Sequence, residues 1–295
     1  MFQLEGYHDL YNMNASVIKG KSTVLTSRKH QGITSGSSRI YDFVFIPNCG
    51  FLNSNLPLLN NCELKLSFDR VNADVAFLET GTVPDGSKIT GKPIVIKDCY
   101  AISEYISSEQ LRTYFNRIDN GPITYNFEEC EVTLKNLPLN ETDIRLDNIK
   151  GGNNPNCLFA AMIPTAGLNG DLSQSCTGFQ HHDVTNVNIT LNGNSVNGYP
   201  IDIKNKSCII PLRLFNDVTN RFMNPLSGEC IDMSLFKTNW IYSHKFEAEA
   251  TSQGWLGIHI KLETALTSAY TLVLWTISDS ALTIDKFHQI EKVSL

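Results

Sequence analysis

Alternation of apolar and polar side chains is the main signal along this chain. In Cys62-Glu-Leu-Lys-Leu-Ser-Phe68, Cys62, Leu64, Leu66 and Phe68 alternate with Glu63, Lys65 and Ser67. A period of two puts one face on a core and the other toward water, which is a strand. The same reasoning predicts strands at Arg39–Ile46, stopped by Pro47, and at Ala73–Leu78, Pro93–Ile102, Thr124–Leu134, Ile144–Ile149 and Leu158–Ile163. Val187–Leu191 runs into Asn192-Gly193, a hairpin signal because both residues tolerate positive φ.

The last third carries the clearest pattern. In Trp255–Glu263 the residues Leu256, Ile258, Ile260 and Leu262 face inward. Tyr270–Ile277 is apolar on both faces, so a central strand is expected there, not an edge. Helical spacing is confined to two places. Ser107-Ser-Glu-Gln110 forms a capping box ahead of Leu111, Phe115 and Ile118, and Leu212, Phe215, Val218 and Phe222 form a stripe over Pro211–Phe222. About eleven strands and two or three short helices predict an all-β protein built from sandwiches.

Residues 1–38 are polar, and Gly32, Ser35, Gly36, Ser37 and Ser38 predict a loop. Gly81, Pro84, Gly86 and Gly91 mark a long turn or linker. The expected division is therefore a first domain over 1–90 with three or four strands and a second over 91–295 with eight.

Composition narrows the function. The chain has 295 residues, 42% hydrophobic and 18% charged, with a formal net charge of -6. That is long enough to bury roughly 35,000 Å² on folding without metal or disulfide staples. Lys19, Lys21, Arg28 and Lys29 are the densest basic stretch and are interrupted throughout, so direct sequence-specific nucleic-acid binding is not expected. No apolar run approaches the ~20 residues of a membrane-spanning helix. Met1-Phe-Gln-Leu-Glu-Gly6 lacks the basic and apolar regions of a signal peptide, so synthesis in the cytosol is expected.

Eight cysteines, at 49, 62, 99, 130, 157, 176, 208 and 230, contain no CxxC pair. They are expected to be reduced, buried apolar residues, not zinc ligands. Sequons begin at Asn14, Asn140, Asn188 and Asn205, and chance accounts for them in an Asn-rich chain.

The candidate chemical sites are few. His181-His182-Asp183 would put its two imidazoles on opposite faces of a strand and could bring them together only in a loop. His259 and Glu263 share a strand face but carry Lys261 between them, whose ammonium opposes a cation. No Gly-x-Ser-x-Gly elbow and no Gly-rich phosphate loop occurs. No catalytic residue, metal site or cofactor is expected. Asn239-Trp240-Ile-Tyr242 is an aromatic-bearing polar stretch suited to stacking on sugar.

Four stretches carry a family likeness. They are Tyr41–Asn53 with Cys62–Phe68; Cys130–Leu134 with Leu158–Ile163; Val187–Val196; and Gly254–Leu266 with Tyr270–Ile277 and Leu282-Thr-Ile-Asp285. In type and order they resemble the double jelly-roll, hexon-like major capsid proteins of Polinton-type viruses and adintoviruses. The resemblance implies two jelly rolls side by side, three copies forming a pseudo-hexameric capsomer, other capsid proteins as neighbours, a virion location, and neither cofactor nor active site. Only about 80 residues precede the linker, roughly half of what eight strands need. The expectation is thus one complete C-terminal jelly roll and a partial or reduced N-terminal one. The chain is then a C-terminal piece of a longer protein, a subunit with a reduced first roll, or one completed by another chain. The rival readings are a jelly-roll module that recognises glycan or a host receptor, and a cupin-like metalloenzyme, which would need a His-x-His pair that is missing.

Overall fold

The computed structural model describes residues 33–35, 38–40, 65, 67, 116, most of 121–203, 208–222, 236, 241–246 and 254–294. Within these, Ile33–Ser35 (β1) and Ser38–Ile40 (β2) form a small antiparallel hairpin: β1 and Ser38 lie in the segment expected to be loop, and Arg39 and Ile40 open the strand expected at Arg39–Ile46. Then follow β3 (Ile123–Leu137), β4 (Asp143–Gly152), β5 (Cys157–Pro164), the one-turn helix α1 (Thr165–Leu168), β6 (Val184–Leu191), β7 (Asn194–Ser195) and β8 (Ile201–Asp202). Helix α2 (Ile209–Phe222), β9 (Tyr242–Lys245), β10 (Gly254–Leu262), β11 (Tyr270–Ile284) and β12 (Ile290–Ser294) complete them. The strands expected at Arg39–Ile46, Cys62–Phe68, Ala73–Leu78 and Pro93–Ile102 fall wholly or mostly outside the described residues, as do the helix after Ser107 and the 80–91 linker.

The strand pairing follows one rule. β3 pairs with β11, β4 with β10, β5 with β9 and β6 with β8, all antiparallel. Counted in chain order, those are pairs 1–8, 2–7, 3–6 and 4–5 of eight strands, a long hairpin rolled on itself. Rolling adds two lateral pairings, β11 with β5 and β10 with β6. The result is two antiparallel five-stranded sheets, one containing β3, β5, β9, β11 and β12 and the other β4, β6, β7, β8 and β10. They form a sandwich of jelly-roll order.

The core explains why the sequence takes this form. Inward-pointing Leu256, Ile258, Ile260 and Leu262 of β10 meet Val187 and Ile189 of β6 and Ile144 of β4 in one buried cluster with Leu158, Met162, Leu272 and Leu274. β5 is buried along its whole length. Both of its faces are covered, because α2 lies on one of them: Phe215 meets Phe159 edge to face at 6.4 Å and Phe236 at 5.8 Å. β11 sits between β3 and β5 and is central, as its two apolar faces predict.

β11 is longer than its apolar run. It continues through Ser278-Asp279-Ser280 to Ile284, paired with β3 over fifteen consecutive residues and with β12 from Ser280 to Ile284. Ile123, Tyr125, Ala281 and Ile284 on this extension are buried, yet they stand outside the sandwich cluster. Lys292 Nζ and Ser280 Oγ donate to the two carboxylate oxygens of Glu129, at 2.6 and 3.0 Å, and tie the three strands together.

Candidate functional site

The His181-His182-Asp183 segment is a turn leading into β6, not a strand, and His182 and Asp183 both take positive φ. Asp183 closes a latch on the loop after β10. Its carboxylate accepts from Thr264 Oγ1 at 3.0 Å, and its carbonyl accepts from the Glu263 backbone N–H at 2.9 Å. The His182 ring packs edge-on against Tyr270 at the start of β11, with centroids 4.0 Å apart. Burial first, then the neighbouring His181, push its pKa down to about 4, so it is neutral near pH 7. These contacts fasten a turn, and no ligand set forms around them: among the described residues no three His, Cys, Asp or Glu side chains are grouped to hold a metal ion.

The second candidate pair is not brought together. Glu263 lies beyond Leu262, the last residue of β10, and is exposed in the bend that follows. His259 instead hydrogen-bonds Asp143 of β4 through Nε2. That bond, with positive charge from His259, Lys261 and Arg145, holds the Asp143 carboxyl below its ordinary value. Both residues are on the outward face of the β4–β10–β6 sheet, in a polar stripe with Asn188, whose side-chain carbonyl accepts from Ser195 at 2.6 Å.

Tyr242 needs a correction. It was expected in an exposed polar stretch, but it opens β9 and is fully buried, so it cannot stack on a sugar. Burial raises its phenol pKa well above the ordinary range. The sequence signal failed because β9 reads Tyr-Ser-His-Lys, with Ser243 and His244 buried beside it. Burial likewise pushes the His244 pKa down to about 4. Asn239 and Trp240 lie outside the described residues. Of the cysteines described, Cys157 and Cys208 are buried and Cys130 is half-buried; the other five lie outside.

Exposed apolar side chains mark the surface that pattern analysis missed. Val132 and Leu134 of β3 are 53% and 57% exposed, and Trp255 is 60% exposed at the start of β10. Ile209 and Ile210 open α2 with exposed side chains, and Phe287 and Ile290 do so around the β11–β12 turn. Trp255 is fixed by the Asn192-Gly193 turn: its N–H donates to Asn192 Oδ1 and its carbonyl accepts from the Asn192 N–H, both at 2.9 Å. Alternation could have flagged β3, where Val132 and Leu134 repeat at a spacing of two beside charged Glu131 and Lys135. It cannot tell an apolar face that is covered from one that is open. No helix of the described residues is long and apolar enough to cross a membrane.

No protein-family model matches the chain, and no curated protein matches it. Among solved structures it is similar to the cryo-EM structure of the Sputnik virophage, with 10% identity, 59% of this chain and 39% of that chain covered, and a TM-score of 0.39. It is similar to the PBCV-1 virus capsid, with 11% identity, coverage of 64% and 55%, and a TM-score of 0.39. A third likeness is to the mavirus major capsid protein, with 12% identity, coverage of 59% and 41%, and a TM-score of 0.29. The chain spans about half the length of these solved chains, or less.

Proposed function

We propose that this chain is a capsid structural protein that works by self-assembly, three copies forming a pseudo-hexameric capsomer of an icosahedral shell. One observation carries the reading. Three of the four stretches that resemble hexon-like capsid proteins fall on strands of the roll, and the first, Tyr41–Asn53 with Cys62–Phe68, lies almost wholly outside the described residues. Cys130–Leu134 lies in β3, Leu158–Ile163 in β5, Val187–Val196 runs from within β6 through its turn and β7, and Gly254–Leu266 with Tyr270–Ile277 holds β10 and the first half of β11. A fold alone hosts many functions, so the weight rests on this coincidence of resemblance and closure.

On this reading the chemistry is burial of surface between copies, not catalysis, and the chain needs no cofactor. Its partners are further copies and other capsid proteins, and its location is the virion. The division into a reduced first roll over 1–90 and a complete second one over 91–295 belongs to the same proposal. A closed three-fold ring satisfies each interface at once.

Electron microscopy of the purified chain tests the proposal. Three-fold particles with a hexagonal outline support it. Isolated single sandwiches at every concentration overturn it. A second reading, a minor capsid or spike component that recognises glycan, is favoured by exposed Trp255 beside the amide of Asn192. Binding of sugar by a chain that does not self-associate would select it.

A further inference from the structure

The β4–β10–β6 sheet breaks its regular pairing at one place on β4. β10 sets Leu256 opposite Lys150 and Ile258 opposite Leu146, so Asp147, Asn148 and Ile149 of β4 face the single residue Gly257. Asn148 takes a positive φ of 56° within this bulge. Bulges re-aim side chains and recur beside functional sites. Leu146 and Ile149 pack against the core, and Asp147 is turned outward and exposed. Its Oδ1 stands 3.6 Å from where a Cβ on Gly257 would be, and the Thr190 hydroxyl stands 2.7 Å from the same point. Two oxygens from the flanking strands thus converge over a residue without a side chain. A glycine inside a strand often marks such a close approach. Asp143 of the same strand is engaged by His259, whereas no hydrogen bond or ion pair engages Asp147 among the described residues.

Trp255 stands on the same face, two residues along β10 from Gly257, a separation of roughly 7 Å. Its side chain is exposed, while two hydrogen bonds to Asn192 fix its backbone. Gly151, opposite it on β4, has no side chain to cover the ring. Fixing a contact residue before binding lowers the entropy that binding costs.

We propose that this face is a carbohydrate site that takes one neutral hexopyranose unit of a glycan. The apolar C–H face of the sugar stacks on Trp255, its hydroxyls donate to the Asp147 carboxylate, and another shares a hydrogen bond with Thr190. A carboxylate only accepts, so it suits hydroxyls and repels acidic sugars and phosphates. A protein partner would need an apolar centre to its contact, and the neighbours of Trp255 on this face are glycine, threonine and aspartate. The inference rests on the glycan-recognising reading and names its site and sugar class, whether or not copies also assemble. One sugar on an open face binds weakly, and copies gathered in one particle raise the avidity.

Ligand-observed NMR on the full chain tests the site. The probes are the methyl glycosides of glucose, galactose and mannose, with N-acetylneuraminic acid as an acidic counterpart. At least one neutral glycoside should bind, and the acidic probe should not. Trp255→Ala and Asp147→Asn should each weaken binding roughly tenfold or more. Phe287→Ala, which removes a comparably exposed ring from the β11–β12 turn, should leave it unchanged. Asp147→Asn should also narrow the gap between neutral and acidic sugars, which a merely structural aspartate would not do. Circular dichroism should show native spectra for all three variants, since each replaces an exposed side chain. If a sugar binds the native chain and both site variants bind it equally well, this site is wrong and the glycan reading stands. Binding of the acidic probe alone overturns the sugar class. If no sugar binds, both the site and the glycan reading fall.

Discussion

The Gly257 backbone of β10 passes so close to Thr190 of β6 that a Cβ added at 257 would lie 2.7 Å from the Thr190 hydroxyl oxygen. It would also lie 3.1 Å from the Leu146 carbonyl oxygen of β4. The pairing of β10 with β4 shifts register between Leu256 and Ile258, around this glycine. The middle strand of the sheet thus has room for no side chain at that point. Gly257→Ala should destabilise the fold by about 1–3 kcal/mol, the usual cost of overpacking. Adding Thr190→Ala removes one of the two clashes and should recover part of the loss, a non-additivity readable in a double-mutant cycle from urea melts. Strict additivity would show that the close approach has no energetic consequence.

Phe215 joins α2 to the sheet through ring contacts with Phe159 and Phe236. Phe215→Ala should cost about 3–5 kcal/mol, because it opens a cavity where three rings meet. Arg213→Ala, which removes only an exposed pairing with Asp217 on the same helix, should change stability by less than about 0.5 kcal/mol. Equal losses from the two would mean that α2 is not packed as described.

Acid should loosen the roll in two stages. His182 and His244 are held near pKa 4 by burial, whereas an unfolded histidine titrates near 6.5. Between those values the unfolded chain binds protons that the folded chain refuses. Stability therefore falls as pH drops from about 6.5 toward 4 and stops changing from this cause below about 4. Asp143 acts in the same sense at lower pH: its lowered pKa gives stability that is lost as pH falls through and below the ordinary carboxylate range. Melting temperatures measured across pH should show the upper stage shrink in His182→Phe and His244→Phe. An unchanged slope in the double variant would contradict the assignment.

Much of the roll is legible from side-chain pattern wherever burial is one-sided. β10 alternates because only its Leu256, Ile258, Ile260 and Leu262 side reaches the core. The Asn192-Gly193 hairpin is legible because Asn192 and Gly193 both take positive φ, at 53° and 79°. The missed strands are held by main-chain pairing instead. β12 exposes Ile290 and is defined by its bonds to β11. The far half of β11 breaks its apolar pattern at Ser278-Asp279-Ser280 but keeps its register with β3. β9 buries serine and histidine, residues that pattern assigns to water. Helix α2 begins two residues before its expected start, with Ile209 and Ile210 outside the buried stripe. The two histidine candidates misled for a related reason, since His182 and His259 both bear on a neighbouring strand, one through a ring and one through a carboxylate. Which surface is covered in an assembly leaves no period in a single chain, so the open face of β3 was the least readable feature.

Self-assembly is the claim on which the functional account stands, and the native mass of the chain in solution tests it most directly. Light scattering on a gel-filtration column should give three times the 32.9 kDa of one chain, or a larger multiple of three as capsomers join. A single species of 32.9 kDa that persists at high protein concentration would contradict the account.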